Sequence, residues 1–230
     1  MNDSPVALID NKSICRFQPD FASALPMTGV VLAGGLSRRM QGREKALLPF
    51  GEGVLLDRTL ARFAPQVTRV VLSANGDPTR FARFGLPVIP DARPDHPGPL
   101  AGVEAAFLAT GADWLLSVPV DLPFLPLDLA ARLGDRADAR DPMPVVAAGG
   151  FGLHPVVCLW PRAALPWIRH ALDAGQLRLM DWFARHPCLT VVFDQPPNGV
   201  DPFFNVNHPD ALMEAARIDG ASPGERPCMP

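Results

Sequence analysis

Residues 29–51 read GVVLAGGLSRRMQGREKALLPFG, and their order decides the fold. The run at 30–33 is short, apolar and closed by glycine, the pattern of a buried strand. The pair Gly34-Gly35 lets the backbone approach a ligand closely and accept positive φ. Backbone N–H groups in such a loop can surround an anion, and Arg38 and Arg39 can add bidentate contacts. Lys45 ends the segment as a compact cation suited to a triphosphate. Two familiar phosphate loops are excluded. A Walker loop needs G-x-x-x-x-G-K and then Ser or Thr, whereas Gly42 is followed by Arg43, Glu44, Lys45 and Ala46. A dinucleotide fingerprint needs G-x-G-x-x-G, and Gly34-Gly35-Leu36-Ser37 breaks it.

Working outward, 230 residues with 48% hydrophobic and 20% charged side chains suit one globular domain, or at most two small ones. A net charge of -3 gives no support for a broad nucleic-acid or membrane surface. The bases are almost all arginine, Lys12 and Lys45 being the two lysines, so Lys45 stands out within its own composition. Cys15, Cys158, Cys188 and Cys228 form no C-x-x-C pair, which argues against a zinc site or a disulfide framework and for reduced thiols. No apolar run approaches the roughly 20 residues of a membrane helix. The first 26 residues hold Asp3, Asp10 and Asp20 and no signal-peptide pattern, so a cytoplasmic protein is expected.

Strands are expected at 30–33, 69–74, 87–89, 114–118, 144–147, 156–160 and 190–193. Helices are expected at 55–65, 100–110, 126–134, 162–174, 179–186 and 209–218, with Pro126 and Pro209 in first turns. This alternation implies β-α-β units and an α/β three-layer αβα sandwich around a Rossmann-like, mostly parallel sheet. Runs such as VVLA and WLLSV are apolar on both faces, as strands covered by helices on each side should be. One domain is expected over 27–217, with 1–26 an extension or upstream start ahead of Met27, and a frayed tail over 218–230.

In such sheets ligands sit beyond the carboxyl ends of the strands. There the sequence carries Gly34, Gly35, Arg39 and Lys45 after the first strand, and Asn75 after the second. Asp91 and then Gly98 follow the third strand, and Asp121 the fourth. Nearly all the chemistry-bearing polar residues therefore fall at one sheet edge.

The whole string L-A-G-G-x-S-x-R-M-x-G-x-x-K, from Leu32 to Lys45, resembles the signature of nucleotidyltransferases acting on the molybdenum cofactor. Three further segments agree in order: D-x-x-x-x-x-x-G-P-L-A-G at 91–102, P-x-D-L-P at 119–123 and F-N-V-N-x-P at 204–209. Together, over about 28–217, they resemble the molybdenum cofactor guanylyltransferase family. The first motif is shared with cytidylyl- and sugar nucleotidyltransferases; the N-V-N-x-P element narrows it.

The resemblance implies a nucleotidyltransferase-type sheet with nucleotide binding in the N-terminal half and pterin binding in the C-terminal half. Leu32, Ala33, Gly34 and Gly35 would line the guanine nucleotide, with Lys45 on its phosphates and Asn75, Asp91 and Gly98 completing the pocket. Lys45, Arg39 and Asp121 would be catalytic, Asp121 also ligating Mg²⁺. His154, Arg178, Asn205 and Asn207 are the pterin candidates. Asn205 and Asn207 flank one valine and would point to one side if that segment is extended. GTP and molybdopterin would be the substrates, with transient contacts to molybdopterin-synthesis proteins and molybdoenzyme chaperones. A cytidylyltransferase of the same cofactor, a sugar-phosphate nucleotidyltransferase and a non-catalytic GTP-binding module are the alternatives. Asp121 argues against the last, because a mere binding module has no use for a metal carboxylate.

Overall fold

A computed structural model describes residues 25–34, 44–93, 98–150, 152–194 and 200–220. In chain order the first half holds β1 (Thr28–Leu32), β2 (Pro49–Phe50), β3 (Gly53–Val54), α1 (Leu55–Phe63), β4 (Arg69–Ser73), β5 (Val88–Ile89), α2 (Pro99–Thr110) and β6 (Trp114–Pro119). The second half holds α3 (Leu129–Gly134), β7 (Val145–Gly149), β8 (Gly152–Pro161), α4 (Leu165–Asp173), α5 (Leu179–Phe183), β9 (Leu189–Val192) and α6 (Pro209–Ile218). Short 3-10 turns intervene, the longest at Pro78–Phe84 behind an Asp77 cap that accepts from Thr79 N–H.

The main sheet runs β5-β4-β1-β6-β8-β7-β9. β1, β4, β5 and β6 pair in parallel, as do β7 and β9, while β8 is antiparallel to both β6 and β7. The sheet is mostly parallel, as expected, with one reversed strand. The reversal follows from chain length: β7 ends at Gly149 and β8 begins at Gly152, too short a gap for a parallel crossover.

Alternation along the strands sorts the core into two layers. Val30, Leu115, Val146, Cys158 and Trp160 face α2, α4 and α5. Val31, Leu72, Leu116, Val145 and Leu159 face α1 and α3. The αβα sandwich thus follows from strands that are apolar on both sides. α2 is buried nearly all round, so it is a core helix, begun by Pro99 and closed by Gly111 at φ 63. α6 packs Ala215 and Ala216 with Phe50, Leu55, Phe124 and Val206, which fastens the segment before it over the end of β6.

Besides shifts of one or two residues and a 3-10 turn at Arg162–Ala164 in place of the first turn of α4, three boundaries differ from expectation. α3 starts at Leu129, not at 126, because the Leu125 and Pro126 carbonyls accept from Arg62 and Gln66 at 2.6 and 2.8 Å. Those carbonyls face α1 and its following turn rather than a helix of their own. α5 ends at Phe183 instead of reaching 186, closing in turns on the Trp182 carbonyl. β8 runs back to Gly152 rather than starting at 156, because it tolerates Pro155 at a bulge, where the partner of β7 jumps from Cys158 to His154.

Candidate functional site

The site is built where β1, β4, β5 and β6 end. The Ala33 and Gly34 N–H groups both donate to the Ser73 carbonyl, at 2.9 and 3.1 Å, which turns the chain across the end of β4. Gly35 and Arg39 lie outside the described residues, as do Arg38 and Gly42. The chain re-enters at Glu44, and Lys45 opens a 3-10 turn anchored by the buried Ala46.

Asp121 follows β6 by two residues and is 9% exposed. Its backbone is held from three sides. Val120 N–H donates to Leu32 O at 3.1 Å, the buried Thr59 hydroxyl of α1 donates to Val120 O at 2.9 Å, and Val206 N–H donates to Asp121 O at 2.9 Å. The carboxylate has two distinct oxygens. Oδ2 pairs with Lys45 Nζ at 2.9 Å, while Oδ1 is buried and accepts no hydrogen bond among the described residues. A buried carboxylate oxygen without a donor is costly, so its presence calls for a ligand. Lys45 Nζ also donates to Asn207 Oδ1 at 2.7 Å.

Asn75 and Asp91 grip each other: Asn75 Nδ2 donates to Asp91 Oδ2, and Asp91 N–H donates to Asn75 Oδ1, both at 2.8 Å. Arg80 crosses from the 3-10 helix to Glu44 at 3.0 Å and donates to the Asn75 carbonyl. Burial pushes the Glu44 carboxyl above its ordinary range, with Arg80 opposing. Gly98 has φ 90 and ψ -165, a conformation that side chains other than glycine scarcely adopt. A Cβ on Gly102 would fall 2.6 Å from Ser73 Oγ and 2.7 Å from Leu32 Cδ2, so glycine there lets α2 press onto β1 and β4.

These residues enclose a cavity of about 370 Å³. Leu32, Ala33, Gly34, Lys45, Asn75, Asp91, Gly98 and Asp121 all line it. So do Ser73, Glu44 and Arg80, which sequence reasoning missed. A polar Ser73 closing an apolar run was a readable signal; the reach of Arg80 across thirty-odd residues had none. Among the described residues no cluster of three or more His, Cys, Asp or Glu could hold a metal, so Asp121 stands as a single carboxylate.

The second-half candidates divide. The bulge turns His154 onto the same face as Phe203, with ring centroids 4.2 Å apart. His154 Nε2 is buried and has no hydrogen-bond partner among the described residues, and burial pulls its pKa below the usual histidine range, with Asp201 opposing. Asn205 is exposed and Asn207 half-buried; the Asn207 N–H donates to Asn205 O at 3.1 Å, so the segment is a tight turn and not extended. Arg178 is exposed ahead of α5, next to Leu177, whose carbonyl lies 3.9 Å from where a Gly98 Cβ would be. Of these four, only Asn207 contacts Lys45.

A mostly parallel sheet ending in a glycine turn, a lysine and a lone buried carboxylate around one cavity defines a nucleotidyltransferase-type α/β protein. The family model described as the MobA-like NTP transferase domain matches residues 29–190. A molybdenum cofactor guanylyltransferase from Mesorhizobium japonicum is 46% identical over 198 residues, covering 84% of this chain and 95% of the relative. One from Rhodopseudomonas palustris is 46% identical over 196 residues, covering 82% and 92%. The chain belongs to the molybdenum cofactor guanylyltransferases within the MobA-like family. In fold it is similar to the molybdopterin-guanine dinucleotide biosynthesis protein A of Archaeoglobus fulgidus, with a TM-score of 0.68, 20% identity, and coverage of 85% of this chain and 100% of that one.

Proposed function

We propose that this chain transfers GMP from GTP to the terminal phosphate of molybdopterin and releases pyrophosphate. The observation that carries the reading is Asp121, a buried carboxylate with Lys45 on one oxygen and an unpartnered second oxygen, in the wall of the cavity. The reading is further supported by relatives named for this activity.

The acceptor needs no side-chain nucleophile. A phosphomonoester has a second pKa of about 6 and is mostly dianionic at neutral pH. One of its oxygens bonds to the α-phosphorus, the bond from that phosphorus to the bridging oxygen breaks, and pyrophosphate carries away the electron pair. The chain's task is alignment and charge neutralisation. The Gly34 turn receives the nucleotide and Lys45 meets its phosphates. Asn75 holds Asp91 beside the cavity, where Asp91 would meet base or ribose.

Asp121 suits Mg²⁺, which is held by one or two carboxylates plus substrate phosphates, and Oδ1 is the oxygen left for it. Bound there, the ion would neutralise charge on the phosphate oxygens. Arg39 is proposed as a further phosphate contact, and His154, Arg178, Asn205 and Asn207 as the acceptor side. A cytoplasmic location is proposed with it, in keeping with the free thiols of Cys158 and Cys188.

The test is incubation with Mg²⁺, molybdopterin and each nucleoside triphosphate in turn, with pyrophosphate as the readout. Release with GTP alone is expected. Preference for CTP would turn the reading to a cytidylyltransferase, and no release with any nucleotide to a binding module.

A further inference from the structure

Lys45 and Asn207 are 162 residues apart, yet the Lys45 ammonium donates to Asn207 Oδ1 at 2.7 Å and to Asp121 Oδ2 at 2.9 Å. The turn carrying Asn207 is itself bonded to the Asp121 backbone, through Val206 N–H at 2.9 Å. Val206 is fully buried with Ala215 and Ala216 of α6, so the turn has a fixed seat. An ammonium has three donors. Asn207 takes one and Asp121 Oδ2 another, leaving one for a phosphate and leaving the buried Asp121 Oδ1 without a hydrogen bond among the described residues. Without the amide oxygen, a flexible lysine beside a buried carboxylate would share its donors between both carboxylate oxygens.

From this geometry we infer that Asn207 is a positioning residue of the nucleotide half: it holds Lys45 on one oxygen of Asp121 and so keeps the lone pairs of the other from being taken by the ammonium, in reserve for the cation that accompanies GTP. Rather than serving first as a pterin contact, it acts on GTP through Lys45. The inference rests on the function proposed above and refines it.

A double-mutant cycle separates the two roles. GTP binding is measured by calorimetry with Mg²⁺ and without molybdopterin, for wild type, Asn207→Ala, Lys45→Ala and the double variant. Asn207→Ala is expected to weaken GTP binding roughly tenfold, the scale of a lost hydrogen bond to a charged group. In the Lys45→Ala background the same change should cost almost nothing, because Asn207 then has no cation to hold. Equal losses in both backgrounds, or undisturbed GTP binding with a raised KM for molybdopterin, overturn the inference and leave the guanylyltransferase reading standing. A wild-type chain that binds no GTP overturns both. Should Asn207→Ala not fold, Asn207→Ser takes its place in the cycle with the same outcomes.

Discussion

The Lys45–Asp121 pair sits in a part-buried setting where a charge counts for more than in water, and both groups face the cavity. Groups that neutralise charge developing in a transition state commonly contribute about 10²–10³ in rate each. Lys45→Ala and Asp121→Ala should each lose activity on that scale while keeping the wild-type circular dichroism spectrum; near-native turnover in either removes it from the mechanism. His154 yields a prediction of another kind. Burial holds its pKa down, so the folded chain favours the neutral ring and the unfolded chain binds the proton more readily. Stability therefore falls as pH drops through about 6.5, the unfolded value. His154→Gln should flatten that slope in thermal melts between pH 7.5 and 5.5, and an unchanged slope would exonerate His154. At this scale the sequence was legible wherever a polar residue closes an apolar run: Asn75, Asp91 and Asp121 all sit so. Thr59 and Arg80 were not legible, because each reaches a partner far along the chain, the Val120 carbonyl and the Glu44 carboxylate respectively.

Among elements, α2 has the most at stake. Glu104 lies in its middle with 3% exposure and is held by Arg93 at 2.6 and 3.0 Å, with Arg169 at 3.4 Å. Arg93 also reaches Asp173 at the end of α4, and it stands two residues past Asp91. Removing one partner of a buried ion pair strands the other charge. Arg93→Met should cost about 2–3 kcal/mol, at or below the low end of the roughly 3–5 kcal/mol for a fully buried pair, because Arg93 is 22% exposed and Arg169 remains. For a chain this size the melting temperature should fall by roughly 5–10 °C, and a shift below one degree would show the pair to be idle. Strands and helices with strong apolar periods were readable to within a residue or two, α6 among them. The hairpin of β2 and β3 was not, since two-residue strands carry no period. Nor was the true length of β8, whose Pro155 reads as a stop until the bulge accommodates it.

At the scale of the molecule, Met27 is 2% exposed in the core and its carbonyl accepts from Thr68 N–H at 3.0 Å, so it belongs to the packed body. A chain begun at Met27 should fold and turn over like the full one, as measured by melting temperature and pyrophosphate release; insolubility or inactivity would assign residues 1–26 a necessary part. The alternation of strand and helix sufficed for the sandwich and for the edge at which the site lies. It did not suffice for the order of the last three strands, which depends on how short the link from β7 to β8 is.

That link has a further consequence. β5, β4, β1 and β6 all come from residues 28–119, and β8, β7 and β9 from 145–192, so the sheet is two contiguous stretches of gene joined along the single seam of β6 and β8. The strands meet at one seam, but α2 of the first stretch shares a core layer with α4 and α5 of the second, and Arg93 bridges Glu104 and Asp173. The turn at Val206 also reaches back to Asp121, so the two stretches of gene are bound to change together.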